Sequence, residues 1–102
     1  MKKYIERLAW GTDAGFYRLI PQEVLHPATE QDVLKIIARA HKEKKHITFR
    51  AAGTSLSGQA ISDSLLVVCG KKWEQYTVHD NGSSITLQPG IVGQRVNEIL
   101  KP

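Results

Sequence analysis

The chain has 102 residues, of which 41% are hydrophobic, and its formal net charge is +4. This length suits one small domain with a core of its own and leaves no room for several domains. A single cysteine excludes an intrachain disulfide, and no apolar run approaches the length of a membrane span. The N-terminus lacks the apolar core of a signal peptide, so we expect a cytoplasmic protein.

The positive charge is concentrated near one predicted helix end, at Lys42, Lys44 and Lys45. Cations belong in the last turn of a helix because they oppose its negative end. A surface for nucleic acid would also need aromatic side chains for base stacking, and none is interleaved with these lysines. We therefore expect a solvated helix terminus here and no nucleic-acid partner, and keep a nucleic-acid-binding module as an alternative.

The first residues of the chain predict a leading helix and a loop. Residues 2–8 should be helical, Gly11 should end the helix, and Thr12 and Asp13 should open an irregular stretch. Asp13 could serve a binding site or cap a turn locally, and its position at the start of a loop favours the turn cap.

The next part of the chain predicts a βαβ unit. Residues 24–26 form a short apolar strand that Pro27 stops, and Thr29 is a typical N-cap for a helix that runs to about Lys45. Residues 47–51 predict the second strand, which should run parallel to the first after a right-handed crossover. The helix has apolar residues at helical spacing, which predict a buried stripe of Val33, Ile36, Ile37 and Ala40.

The remaining strands predict the rest of an α+β fold. Residues 65–69 show no polar alternation, which indicates a strand buried on both faces, and Trp73 should plug the sheet edge. Asn81 and Gly82 are the strongest signal for a two-residue hairpin turn, and a last helix should follow at residues 92–100. The predicted pairing places four apolar side chains on one face of the hairpin: Tyr76, Val78, Ile85 and Leu87. The fold class is therefore a small βαβ layer that leads into a mixed sheet with a β-hairpin.

The segment 50–60 joins two predicted strands and is rich in small residues. Gly53 and Gly58 permit positive φ, and successive backbone N–H groups in such a loop form a concavity that binds anions. The segment follows a strand, and ligands of open α/β sheets bind at the carboxyl ends of strands. It matches neither the Walker A loop nor the dinucleotide fingerprint. The pattern predicts a cradle for phosphate or pyrophosphate, with an ordinary connection rich in Ser and Gly as the alternative.

The order Arg-x-x-Gly-Thr-Ser-Leu-Ser-Gly-x-Ala in this segment resembles the pyrophosphate-binding loop of FAD-linked oxidases of the vanillyl-alcohol oxidase type, which carry a PCMH-type FAD-binding domain. The branch that contains glycolate oxidase and D-lactate dehydrogenase is the most similar. Ala51 and Ala52 replace two members of the usual glycine triplet, and Gln59 stands where another glycine is common. These departures resemble the large enzymes whose flavin domain is fused to an iron–sulfur region.

The resemblance implies an incomplete FAD-binding domain, in which residues 1–19 form the leading helix and loop and residues 20–102 the truncated PCMH-like part. The parent would be an FAD-dependent oxidoreductase that oxidises a small D-2-hydroxy acid such as lactate, glycolate or 2-hydroxyglutarate, either in the cytoplasm or at the membrane periphery. The flavin would be noncovalent, because the covalently flavinylated members of the family use a His or Cys near the cradle and residues 50–60 contain neither. Catalytic residues and an iron–sulfur cluster would lie outside this chain.

The same resemblance predicts how this piece behaves by itself. It should be inactive, bind FAD weakly and have a tendency to form a homo-oligomer through its unfinished sheet. The alternative is a stand-alone module that binds a phosphorylated ligand or nucleic acid.

The predicted cofactor site combines backbone and side-chain donors. The amides of residues 52–58 would bind the pyrophosphate, Ser55 and Ser57 would add hydroxyl donors, and Arg50 would either add a cation or project into solvent. Pro89 and Gly90 resemble a second cofactor contact, with a strand terminator as the alternative. The full predicted set comprises Arg50, Ala51, Ala52, Gly53, Thr54, Ser55, Leu56, Ser57, Gly58, Gln59, Ala60, Pro89 and Gly90.

Metal and nucleophile chemistry find little support in the sequence. The four histidines, His26, His41, His46 and His79, form no metal-ligand spacing with one another or with the cysteine. Cys69 falls inside a predicted strand, so it is expected to be structural.

Overall fold

The computed structural model describes residues 2–101, which form three α-helices and five β-strands. In chain order these are α1 (Lys2–Ala9), β1 (Glu23–Leu25), α2 (Glu30–Glu43), β2 (Ile47–Arg50), β3 (Leu65–Val68), β4 (Tyr76–His79), β5 (Ser84–Leu87) and α3 (Gly93–Leu100). The predicted α+β class is confirmed, but the parallel and antiparallel strands lie in two separate sheets and do not form the single mixed sheet that the sequence predicts. Within residues 2–101, no helix combines the length and the apolar character that crossing a membrane requires.

The parallel sheet has the spatial order β1, β3, β2, so the third strand of the chain lies between the two strands of the βαβ unit. Val24 of β1 and Thr48 of β2 both pair with Leu66 of β3. Leu65, Leu66 and Val67 are fully buried because β3 has a neighbour on each edge and cover on each face. The prediction of a strand buried on both faces is confirmed, and all three parallel strands end at the same edge of the sheet.

Helix α2 begins and ends at specific caps. The Thr29 hydroxyl accepts a hydrogen bond from the Asp32 amide at 3.2 Å, and the Asp32 carboxylate accepts one from the Ala28 amide at 3.0 Å. Lys44 ends the helix in the left-handed region, with φ of 55°. The predicted N-cap is therefore confirmed, and the chain turns directly into β2.

The predicted buried stripe of α2 is only partly right. Ala40 is buried and Val33 and Ile36 are half-buried, but Ile37 is 46% exposed. A helix of 14 residues is about 21 Å long, whereas a four-residue strand spans about 13 Å, so the small sheet cannot cover the whole helix. Arg39, which is not part of the predicted stripe, is half-buried and pairs with Glu23 of β1 at 2.5 Å.

The antiparallel hairpin has the predicted register, with Tyr76 opposite Leu87 and Val78 opposite Ile85. Asn81 and Gly82 have φ of 56° and 94°, as the central residues of a type I′ turn require. Tyr76, Val78 and Leu87 are nevertheless exposed, so the apolar face of the hairpin is largely uncovered within residues 2–101.

Trp73 is buried, and its indole N–H donates to the Pro27 carbonyl oxygen at 2.7 Å. The Trp73 carbonyl in turn accepts a hydrogen bond from the Gly90 amide at 2.8 Å. The indole therefore joins the end of β1 to the segment that follows the hairpin, and the predicted plug is confirmed.

Candidate functional site

The predicted cradle lies at the carboxyl end of β2, in the connection between β2 and β3. Gly53 and Gly58 have φ of 70° and 79°, so both adopt the left-handed conformation that glycine tolerates best. The segment between them contains neither helix nor strand. The polar groups of this backbone are therefore not used in regular secondary structure.

Most amides of this loop have no hydrogen-bond partner in the described part of the chain. Within residues 2–101, the N–H groups of residues 52–56 and of Gly58 donate to no other atom, whereas the Ser57 amide donates to the Gln59 side-chain oxygen at 3.0 Å. Thr54 and Leu56 are exposed. Free backbone donors on an exposed loop are available to bind an anion.

The Ser55 hydroxyl is already engaged. It donates to one carboxylate oxygen of Asp13 at 2.8 Å, and the other oxygen of Asp13 accepts a hydrogen bond from the Gly15 amide at 2.8 Å. The hydrogen bond from the Gly15 amide is the main cause that lowers the pKa of Asp13, and the hydrogen bond from the Ser55 hydroxyl lowers it further. Asp13 is therefore an anion that both caps its own turn and holds the loop.

The Arg50 side chain is half-buried and does not simply project into solvent, and its role as a cation for the cofactor stays a prediction. Its guanidinium donates to the Thr12 carbonyl at 2.7 Å and to the Ala60 carbonyl at 3.3 Å, and it lies over the Trp10 ring at 4.9 Å from the ring centroid. Burial lowers the pKa of Arg50, and the charge of Asp13 opposes that shift. The side chain folds back under the loop and ties its two ends to the residues that follow α1.

Gly53 has a specific reason to be glycine. A Cβ atom at this position would lie 2.6 Å from the central carbon of the Arg50 guanidinium. Real Cβ atoms almost never come closer than 3.0 Å to a neighbour. The close approach of the Gly53 backbone to the arginine therefore depends on the missing side chain.

The second predicted contact, Pro89 and Gly90, lies apart from this hydrogen-bond network. The Gly90 amide is used by the Trp73 carbonyl, and a Cβ on Gly90 would lie 2.7 Å from that oxygen. Pro89 lines an apolar groove of about 350 Å³ together with Glu30, Val33, Leu34, Phe49, Cys69 and Trp73. Packing thus accounts for Gly90, and a contact with a cofactor stays a prediction.

Cys69 is buried at the end of β3, and burial raises the pKa of its thiol. A buried thiol with a raised pKa is a poor nucleophile. In the part of the chain that the structure describes, no three His, Cys, Asp or Glu side chains are grouped to hold a metal ion.

Sequence reasoning missed the residues that hold the loop from outside. Trp10, Thr12 and Gly15 contact Arg50 or the loop itself, although they lie about 40 positions earlier in the chain. The local signal at Asp13 favoured the turn cap and left a role at a binding site open. Contacts over such separations leave no periodic pattern, so only the Thr-Asp dipeptide could have indicated them.

Three comparisons with known proteins show the family and the fold of this chain. A sequence model of the FAD binding domain family matches residues 21–102. D-2-hydroxyglutarate dehydrogenase of Haemophilus influenzae is 30% identical over 103 residues, and the alignment covers 97% of this chain and 10% of that protein. The enzyme of the same name from Escherichia coli is 27% identical with the same coverage. The chain therefore spans about a tenth of the length of these curated relatives.

A solved structure has a similar fold. It is the complex of pregilvocarcin with GilR, described as an oxidoreductase that catalyses the terminal step of gilvocarcin biosynthesis. The TM-score is 0.65 at 20% sequence identity, and the match covers 95% of this chain and 20% of that one. At this identity the likeness concerns the fold alone.

Proposed function

Because the chain belongs to the FAD binding domain family, we propose that it holds the pyrophosphate of FAD with the loop 50–60 and forms the N-terminal portion of a larger FAD-binding domain. One observation carries this proposal: the amides of residues 52–56 and Gly58 donate to nothing else within residues 2–101. They belong to a loop at the carboxyl end of a parallel strand, between two glycines with positive φ. These features support a role for the loop in binding a dinucleotide's linked phosphates.

The longer protein is proposed to be an oxidoreductase that acts on a small D-2-hydroxy acid. The relatives that are named D-2-hydroxyglutarate dehydrogenase support this class, with 2-hydroxyglutarate, lactate and glycolate as candidates. FAD, when bound, accepts a hydride from the substrate carbon. The residues described here position the cofactor, and the proposed catalytic residues and any iron–sulfur cluster belong to parts of the protein beyond this chain.

The flavin is proposed to be noncovalent. The loop 50–60 offers no His or Cys, and Cys69, the one cysteine of the chain, is buried with a raised pKa. Mass spectrometry of the denatured full-length enzyme tests this directly. We expect the mass of the polypeptide alone, and a retained flavin adduct would contradict the proposal.

Competition between ligands tests the role of the loop. The chain should bind FAD weakly, and it should bind riboflavin more weakly still, because riboflavin has no pyrophosphate. Equal affinities for FAD and riboflavin would refute the proposal. Preference for ADP or inorganic pyrophosphate over FAD would favour a stand-alone phosphate-binding module. Preference for a single-stranded RNA, with a steep dependence on salt, would favour the nucleic-acid alternative.

Two glycine variants test the role of the loop in FAD binding, with Gly58→Ala as the test and Gly82→Ala as the matched control. Gly58 and Gly82 both have positive φ, and a Cβ atom would meet no close contact at either site. Gly58→Ala strains the backbone of the loop 50–60, whereas Gly82→Ala strains the backbone of the hairpin turn. We expect only Gly58→Ala to weaken FAD binding, while both variants lose similar stability.

A further inference from the structure

The segment 10–17 lies before the start of the family match at residue 21, yet it packs against the proposed cofactor loop. Thr12 and Arg18 form a single antiparallel bridge, and the Leu19 amide donates to the Gly11 carbonyl at 3.0 Å. The segment is thus folded back on itself as a compact loop. We call residues 10–17 the brace.

The first contact between brace and loop centres on Ser55. Its hydroxyl donates to Asp13 at 2.8 Å, and its carbonyl accepts a hydrogen bond from the Ala14 amide at 3.1 Å. Gly15 approaches the backbone of Leu56 so closely that a Cβ atom would collide with the Leu56 carbonyl. Two hydrogen bonds and one tight backbone contact therefore fix the middle of the loop.

The second contact fixes both ends of the loop through Arg50. The guanidinium binds the Thr12 carbonyl of the brace and the Ala60 carbonyl at the far end of the loop, and it stacks on Trp10. One terminal nitrogen, Nη1, makes both hydrogen bonds while the guanidinium lies over the Trp10 ring, and a lysine ammonium has no such planar group. The loop is thus anchored at its start, middle and end, and the free amides lie between the anchors.

Anchoring of this kind matters for binding because an ordered loop loses less conformational entropy when the ligand arrives. Asp13 of the brace is negatively charged and would repel a phosphate. The brace therefore acts through the shape of the loop, and its own charge opposes binding.

We propose that Asp13 and Arg50 are positioning residues of the FAD site, which hold the loop 50–60 in the conformation that binds pyrophosphate. This inference rests on the proposed function. In this inference, the Arg50 side chain holds the loop in place, and the backbone amides of the loop bind the cofactor phosphates. The inference also extends the cofactor site to a segment before the family match.

Variants at Asp13 separate a positioning role from a general loss of stability. Asp13→Ala removes both hydrogen bonds, and we expect FAD binding about fivefold weaker. Asp13→Asn keeps an acceptor for the Gly15 amide and offers an N–H to the Ser55 hydroxyl, but carries no charge. We expect it to bind FAD as tightly as the wild-type chain or tighter, because the repulsion is removed. Asp63→Ala, at an exposed carboxylate, is the matched control and should leave affinity unchanged.

The measurement is a fluorescence titration of each variant with FAD and with riboflavin, alongside urea unfolding. Riboflavin affinity should not change, since it lacks the group that the loop holds. Arg50→Lys provides a second test that does not depend on Asp13→Ala folding: it keeps the charge and loses the planar guanidinium that lies over Trp10. We expect it to bind FAD about fivefold more weakly as well.

The outcomes separate this inference from the proposed function. Unchanged FAD affinity in Asp13→Ala or Arg50→Lys, in a wild-type background that prefers FAD to riboflavin, overturns the brace and leaves the proposed function standing. Loss of FAD binding in Asp13→Asn equal to that in Asp13→Ala also overturns it, because the hydrogen bonds would then not be what matters. If the wild-type chain shows no preference for FAD over riboflavin, both the proposed function and the inference about the brace are refuted.

Discussion

Substitution of Gly53 by alanine perturbs the contact on which the shape of the loop depends. Gly53 has φ of 70°, and an alanine costs about 1–2 kcal/mol in that region. The new Cβ would also lie 2.6 Å from the Arg50 guanidinium carbon, so the arginine has to move. Displacement loses the hydrogen bond to Thr12, worth about 1 kcal/mol, and the stack on Trp10, worth about 0.5–1 kcal/mol. We therefore expect a total loss of about 2–4 kcal/mol.

Gly82→Ala is the control, since Gly82 has φ of 94° and no atom within 4 Å of the new Cβ. It carries the backbone penalty alone, about 1–2 kcal/mol. Urea unfolding followed by circular dichroism gives both free energies, and the m-values should be unchanged. FAD affinity should fall for the Gly53 variant only. Equal destabilisation by the two variants would refute the reasoning, because it would mean that no arginine lies against Gly53.

Three further perturbations test the fold that carries the loop. Trp73→Phe keeps an aromatic ring but loses the bond of 2.7 Å to the Pro27 carbonyl, and we expect the free energy of unfolding to fall by about 1–2 kcal/mol in a urea titration. Thr29→Ala removes the N-cap of α2 and should cost about 1 kcal/mol by the same assay, and an unchanged value would contradict the cap. The pKa of Asp32 is lowered chiefly by the Ala28 amide, so its stabilisation is present above the ordinary value of 3.8 and is lost as pH falls through the folded-state pKa. Unfolding measured between neutral and acid pH should show this loss, and Asp32→Asn should reduce it.

Local chemistry accounts for most of what the sequence predicts correctly. The type I′ turn at Asn81 and Gly82 sets the hairpin register, and the Thr29 hydroxyl sets the start of α2. Each of these depends on residues a few positions apart. The family predicted from the motif at residues 50–60 is likewise confirmed, since the motif itself is local.

The features that sequence reasoning missed depend on contacts between distant parts of the chain. Arg50 and Thr12 are 38 positions apart, and Ser55 and Asp13 are 42 apart. The packed fold decides which partner a long polar side chain contacts. The sequence alone therefore could not show whether Arg50 holds the loop, binds the ligand or projects into solvent. The exposure of Ile37 has a similar origin, because helical spacing marks an apolar face but not the size of the sheet that covers it.

The most direct test of the central claim is a titration of the ¹⁵N-labelled chain with FAD, followed by the chemical shifts of its backbone amides. The account predicts saturable shifts concentrated at Gly53, Thr54, Leu56 and Gly58, reproduced by ADP and absent with riboflavin. Shifts confined to the apolar groove around Phe49 and Trp73, with the loop amides unmoved, would contradict it.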